Sequence, residues 1–376
     1  PGNIQKNGPR VSYVLNPYTS FRDWKKGVTL SGNAHPDSNP GRFMKLGIDL
    51  DGRIPISDMV EMCRIADAAG FHSVLADQHL GYRDAVSTSV AFLGATENVL
   101  VIPTALSPYV AHPLFWAMGI ATLAEYAPGR AALCAGTANP NVMAEMGLSP
   151  KKPLASMREM ITATRRLWDA GRERVEFRGE TLNLYGAHID FDLPEARIPI
   201  YLTAVGPKMC RLAGEAADGV VLSAGVSAPY IQWALEQVEE GRRKRDGDGS
   251  GFLVAGLIVT SIFETYEEAL EASQAGLAYL LRNPALKASH EVSGAKLDLD
   301  AINDAFVKGD REAIRRLIPE EVVHTYSVTG TPETAADRIT EFIDAGLEVP
   351  VLALRGAPED RKKALRLLAE GLASNP

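Results

Sequence analysis

Only three of the 376 residues are cysteine, and basic residues are outnumbered: 39 Lys and Arg stand against 47 Asp and Glu, for a net charge of −8. Without a basic excess the chain has no obvious face for phosphate backbones, so nucleic acid is not expected as a partner. Cys63, Cys134 and Cys210 lie far apart in apolar settings, with no CxxC pair and no Cys/His ligand spacing. They read as buried, reduced thiols of a cytoplasmic protein rather than as a disulfide frame or a metal site. No apolar run approaches the roughly 18 residues that a membrane span needs. The best, Phe252 to Phe263, is short and carries Thr260 and Ser261, so no membrane partner is expected. The first residues, Pro1-Gly2-Asn3-Ile4-Gln5-Lys6, lack the apolar stretch of a signal peptide. A Gly-x-Ser-x-Gly elbow, a Walker A loop and an HExxH helix are all absent, which argues against a serine hydrolase, an NTPase and a zinc enzyme. What the chain has is 46% hydrophobic residues, ordinary for a globular protein and too many for a disordered one.

Those residues fall into short apolar runs that alternate with helical patterns. Strands are expected at Lys45–Leu50, His72–Ala76, Val99–Pro103, Ala131–Ala135, Ile198–Ala204, Gly219–Ser223, Phe252–Ile262 and Val349–Leu354, each followed by a helical stretch. Ser57 is the expected N-cap of the first helix, and Pro113 is well placed in the first turn of the third. Arg174 to Leu184 alternates on either side of Gly179 and reads as a hairpin inserted in a loop. Eight strand–helix units predict a parallel sheet closed into a (βα)8 TIM barrel, with insertions after the fourth strand (about 172–197) and the seventh (about 283–326). A doubly wound sheet is disfavoured because the first turn, Asp51-Gly52-Arg53, is not GxGxxG. One barrel domain is expected over 44–376, preceded by an extension over 1–43 that holds Tyr13, Tyr18, Phe21 and Trp24.

In such a barrel the chemistry sits at the C-terminal ends of the strands. After the second strand comes Asp77-Gln78-His79, where a histidine in a polar loop can donate, accept or relay a proton, or simply order the loop. After the third comes Thr104-Ala105-Leu106-Ser107-Pro108, followed by His112, which is expected to cap or pack. The fourth ends in Gly136-Thr137-Ala138-Asn139, small enough to let a flat ligand approach the backbone. The fifth runs through Val205-Gly206-Pro207-Lys208 straight into a helix N-terminus. There the free N–H groups and the lysine suit a phosphate, although many such turns bind nothing. Trp116 and Trp233 are expected to pack. A metal- or lysine-dependent lyase is disfavoured, as no ligand cluster appears and no lysine other than Lys208 follows a strand.

Five stretches carry a resemblance: KLGIDL with ADAAGFHSVLADQH, RDAVSTSVAFLGATENVLVIPTALSPYVAHP, ATLAEYAPGRAALCAGTANP, LTAVGPKMCRLAGEAADGVVLSAG and VTGTPETAADRITEFIDAGLEVPVLAL. In these the chain resembles the bacterial luciferase-like flavin-dependent superfamily. Within it, the chain is most similar to the deazaflavin (coenzyme F-420)-dependent branch typified by methylenetetrahydromethanopterin reductase. The resemblance implies an oxidoreductase that moves a hydride between coenzyme F-420 and a small organic substrate, with a homodimer as the common assembly. It implies that His79 contacts the deazaflavin, and that Thr104-Ala105 forms a non-prolyl cis bulge against the ring, with Ser107 beside it. Gly136, Thr137 and Ala138 would lie at the ring, and Val205, Gly206, Pro207 and Lys208 would hold the phosphate. The chain departs from the branch at Gln78-His79, which stands for an Asp-His pair, at Asn139, which stands for an acid, and at the bulge, usually Gly-Val. Two alternatives stay open: an FMN-dependent luciferase-like monooxygenase, and a flavin-binding barrel without turnover.

Overall fold

A computed structural model describes residues 45–373, apart from 224, 246–250, 282 and 284–285. The extension expected over 1–43 falls outside the described residues, as do positions 246–250 of the Asp- and Gly-rich tract Arg245–Gly251, whose composition predicts a turn. Three strand–helix units open the fold: β1 (Gly47–Leu50) and α1 (Ile56–Ala68), β2 (Ser73–Asp77) and α2 (Ala85–Ala95), β3 (Leu100–Thr104) and α3 (Pro113–Tyr126). Next come β4 (Leu133–Ala135), the short α4 (Pro140–Glu145), α5 (Pro153–Ala170) and a hairpin of β5 (Val175–Arg178) and β6 (Asn183–Ala187). The rhythm resumes with β7 (Ile200–Ala204), α6 (Pro207–Ala216), β8 (Gly219–Leu222), α7 (Ala228–Arg242), β9 (Leu253–Ile262) and α8 (Tyr266–Leu281). An insertion holds α9 (Lys287–Ser293), α10 (Leu299–Lys308), α11 (Arg311–Leu317), α12 (Glu320–Tyr326) and β10 (Ser327–Gly330). The chain then runs through α13 (Pro332–Asp344), β11 (Val349–Leu354) and α14 (Pro358–Ala373).

The main sheet runs in the order β3-β2-β1-β11-β9-β8-β7-β4, with every pair parallel. Bridges Val101–Ala131 and Leu106–Ala135 join β3 to β4 and close the circle into the (βα)8 barrel expected from the sequence. Alternation along each strand divides its side chains between two layers. Leu75, Ile102, Cys134, Tyr201, Val221, Ala255 and Val351 fill the interior. Ile48, Leu50, Val74, Val101, Leu202, Val220 and Leu352 face the helices. Because one layer is enclosed and the other covered, the strands carry almost unbroken apolar runs.

Helix starts follow local chemistry. His112 Nδ1 accepts the Leu114 N–H at 3.2 Å ahead of Pro113, and Asp84 accepts the Ser87 N–H at 2.7 Å. Ser57 does not cap α1. The helix begins two residues earlier than that cap would give, after Pro55 and without a side-chain cap, which puts Ser57 inside the first turn. Trp116 is buried, donating to the Ser107 carbonyl at 2.9 Å, and Trp233 packs beside Tyr230. All three cysteines are buried and free.

The first insertion carries the hairpin, closed where the Gly179 N–H donates to Leu182 O at 2.9 Å. The second has its own small core, in which Leu277, Leu281, Ile302, Val323 and Tyr326 gather around Val259 of β9. Its last segment, β10, pairs with Val259–Ile262, beyond the stretch of β9 that pairs with β8. No described helix is long and apolar enough to cross a membrane.

Candidate active site at the C-terminal mouth of the barrel

The ends of β2, β3 and β4 enclose a small cavity. Its walls include His79, Leu80, Ala105, Ser107, Ala138 and Asn139, with Val142 and Met143 of α4 above. Four residues singled out from the sequence, His79, Ala105, Ser107 and Ala138, are thereby brought to one place. The Thr104–Ala105 peptide is cis. Thr104 is buried and its hydroxyl donates to the Ile102 carbonyl at 2.8 Å.

Gly136 stands at the tightest point. A Cβ there would run into Thr203 Oγ1 and Ala105 Cβ, so only glycine fits between the bulge and the end of β7. Thr137 follows it, and Ala138 takes a left-handed backbone conformation at φ 65°. Thr203, which sequence reasoning missed, donates to Ala135 O at 3.3 Å and links this wall to β7.

Beyond Thr203 and Ala204 comes the turn Val205-Gly206-Pro207-Lys208. It does not line the cavity, but it lies on the neighbouring strand end. Gly206 precedes α6 with no side chain satisfying the helix N-terminus, and a Cβ on it would meet nothing within 4 Å. The turn is held from behind, where the buried Tyr230 hydroxyl donates to Val205 O at 2.7 Å.

His79 Nε2 lies 3.5 Å from Asp77 Oδ2, and its ring stands 5.2 Å from that of Tyr82. The hydrogen bond that the imidazole donates to the Asp77 carboxylate raises its pKa, against the opposing effect of burial, so the cation is favoured more than in a free histidine. Gln78 also lines the cavity, and its side-chain oxygen accepts the Ala85 N–H at 2.9 Å.

A second polar group at the mouth was not singled out from the sequence. Asp49 turns into the barrel from β1, and its carboxyl pKa is raised well above the usual range, by burial first and then by the charge of Asp77. Asp51 is chelated by Arg53, whose Nε lies 3.0 and 2.9 Å from the two carboxylate oxygens. The Arg53 guanidinium sits over Tyr82 and over Tyr279 of α8, at 5.3 and 5.9 Å from the ring centroids. Arg355 follows β11 directly. The only available signal for Asp49 was an acid inside an otherwise apolar strand, GIDL, where a period of two turns it inward.

Residues 28–348 match the family model for luciferase-like monooxygenases. The chain belongs to that family. Among its luciferase-like relatives, the 5,10-methylenetetrahydromethanopterin reductase of Archaeoglobus fulgidus is 27% identical over 87% of this chain and 98% of its own. The F420-dependent glucose-6-phosphate dehydrogenase of Rhodococcus erythropolis is 29% identical over 84% of this chain and 92% of its own. The fold matches the solved coenzyme F-420-dependent tetrahydromethanopterin reductase of Methanopyrus kandleri with a TM-score of 0.76 at 24% identity, covering 87% of this chain and 97% of that one. It also matches a monooxygenase of Streptomyces bottropensis, with a TM-score of 0.65 at 21% identity over 88% and 99% of the two chains.

Proposed function

We propose that this luciferase-like protein is an oxidoreductase that transfers a hydride between coenzyme F-420 and a small organic substrate. The observation that carries the reading is the glycine-built wall. Gly136 lies flush against the Ala105 bulge, beside a helix N-terminus with open space at Gly206, which suits a flat ring with a phosphate-bearing tail. The F420-dependent glucose-6-phosphate dehydrogenase of Rhodococcus erythropolis supports the same cofactor. When bound, that cofactor supplies the hydride acceptor or donor.

The protein's part is placement and proton control. Ala105, Ser107, Gly136, Thr137 and Ala138 flank the ring position, and the Gly206 and Lys208 N–H groups with the Lys208 side chain hold the phosphate. The small residues leave one face of the ring position open for substrate. His79, held by Asp77, offers an N–H at the cavity wall. Asp49 keeps its proton to higher pH than a free aspartate, so it can give one to the heteroatom bonded to the carbon that gains the hydride.

Calorimetric titration with coenzyme F-420 and, separately, with FMN tests the reading. Coenzyme F-420 is expected to bind, with Lys208→Ala weakening it about two- to fivefold, as for loss of one exposed charge contact. Binding of FMN alone would move the chain to the monooxygenase reading, which the S. bottropensis neighbour favours, and oxygen consumption would follow as the next assay.

The assembly we propose is a homodimer through α2 and α3. These helices present Val90, Phe115, Met118 and Tyr126 to solvent, at 48, 59, 41 and 60% exposure, an apolar face of the kind that marks interaction sites. Sedimentation of the parent and of a Phe115→Asp variant checks it: a dimer and a monomer are expected. The three unpaired cysteines fit a reducing, cytoplasmic setting.

A further inference from the structure

Five buried side-chain polar atoms have no hydrogen-bond partner among the described residues: Asp49 Oδ1, His72 Nδ1, Thr164 Oγ1, Ser261 Oγ and Arg355 Nε. Buried polar groups are nearly always satisfied, so each orphan calls for an explanation. His72 and Thr164 are isolated. The other three stand on β1, on β9 and just past β11, which are neighbours in the sheet. Register puts all three on the interior face. Gly47 pairs with Val351, an interior residue, and Asp49 and Arg355 lie two and four residues farther along their strands. Leu354 pairs with Thr260, which brings Arg355 to the level of Ser261.

Arg355 forms no ion pair with a described carboxylate. The acids around it are already committed: Asp51 to Arg53, Asp77 to His79, and Asp49 to a shared hydrogen bond with Asp77. Its stem lies flat on α8. A Cβ at Gly276 would come within 2.9 Å of Arg355 Nε and 3.2 Å of Cδ, so the helix carries a glycine where the arginine passes. A guanidinium left unpaired at a strand end, with a hydroxyl beside it, matches the geometry of an oxyanion.

We infer that Arg355 and Ser261 hold an anionic oxygen group of the substrate, a carboxylate or a phosphate, on the β1–β11–β9 side of the mouth, opposite the Ala105 bulge. Asp49 Oδ1 is then the acceptor for a hydroxyl or N–H next to that group. The substrate class is a small organic acid or phosphate ester. The inference rests on the hydride-transfer reading only in calling the ligand a substrate.

The test titrates the full chain without cofactor with malonate and, separately, with inorganic phosphate, against chloride at equal ionic strength. At least one of the two is expected to bind saturably, and which one tells carboxylate from phosphate. Arg355→Met and Arg355→Lys should each weaken it about tenfold or more, as for loss of a hydrogen bond to a charged group, and Ser261→Ala less. Gly276→Ala, which keeps the arginine but crowds it, should also weaken it. Circular dichroism and a thermal melt establish that each variant folds. The inference is overturned if neither anion outbinds chloride, if Arg355→Met binds as the parent does, or if phosphate binding is lost in Lys208→Ala instead. Coenzyme F-420 binding without anion binding would sink this site and leave the cofactor reading intact. Anion binding through Arg355 without coenzyme F-420 binding would do the reverse.

Discussion

The two ends of the barrel handle buried charge in opposite ways. At the N-terminal end Asp218, ahead of β8, has every acceptor used. It pairs with Arg165, with Arg197 at 2.8 Å and with Arg245 at 3.5 Å, and it accepts the Ile200 N–H at 2.8 Å. Asp67 does similar work there, accepting the N–H groups of Glu97, Asn98 and Val99 at 2.9, 2.8 and 2.8 Å on the approach to β3. At the C-terminal end β1, β9 and the residue after β11 present an acid whose pKa burial raises, a guanidinium and a hydroxyl, each with a buried polar atom that lacks a partner among the described residues. One end is saturated and serves the fold. The other is left wanting partners, which is the condition for binding something else.

Four measurements would break or sharpen that contrast. The largest effect is expected from Asp218→Asn, which leaves arginines at the closed end without their shared partner. A loss of about 3 to 5 kcal/mol in chemical denaturation is expected, as for a buried pair broken from one side. A loss under about 1 kcal/mol would mean that the closed end is not the stabilising one. The pH dependence has a definite sign. Burial raises the Asp218 pKa, but Arg165 and the Ile200 N–H lower it further, so the net shift is downward. The stability it contributes is therefore full above the pKa of an unfolded aspartate and drains away as pH falls through the lower folded value.

Next comes Gly136→Ala. The added methyl must displace Thr203 or Ala105, so overpacking of about 1 to 3 kcal/mol is expected, together with loss of coenzyme F-420 affinity in the same titration. Unchanged affinity would take the ring away from this wall.

Asp77→Asn probes the open end more gently. Removing the carboxylate removes the principal cause of the raised His79 pKa, so the imidazole should titrate at lower pH by NMR. In the parent, the stabilisation from that pairing is present below the pKa of an unfolded histidine and is lost as pH rises through the raised folded value. A His79 titration unmoved by the substitution would show that Asp77 is not its partner.

The smallest change in stability is expected from Arg355→Met. Replacing an unpaired, largely buried guanidinium with an apolar chain of similar reach gives up no ion pair, so melting should shift little or upward. A large destabilisation would put Arg355 with the closed end as a structural group.

Much of this was legible in the sequence because barrel strands are apolar on both faces and most of their helices start at a capping side chain or at a proline in the first turn. The strands, the hairpin around Gly179 and the loops at the mouth all follow from that. The glycine and proline turns were visible because such residues mark close approach and helix starts. Asp49, Ser261 and Arg355 were not visible as a group, since they are 212 and 94 residues apart along the chain and meet only when β1, β11 and β9 line up. Arg355 stands at a strand end, directly after Leu354, yet nothing local tells an unpaired arginine from a paired one. The short α4 and β10 escaped notice for a related reason. Six residues and four residues carry too little periodicity, and β10 exists only through its pairing with β9.

That pairing has a practical consequence. The insertion leaves the barrel after Ile262 and comes back as Ser327–Gly330 laid along the far end of β9. Both of its ends are thus fixed to one strand, while its interior has a core of its own. Yet α8, which leads into it, carries Gly276 and Tyr279, which reach the mouth beside Arg355 and Arg53. The stretch between Ile262 and Gly330 is therefore a cassette with defined seams, tied in addition to the start of α7 where Ser289 donates to Gly225 O and Ser293 meets Ser227. Exchanging it whole would change what the mouth admits while leaving the eight-stranded frame as it is.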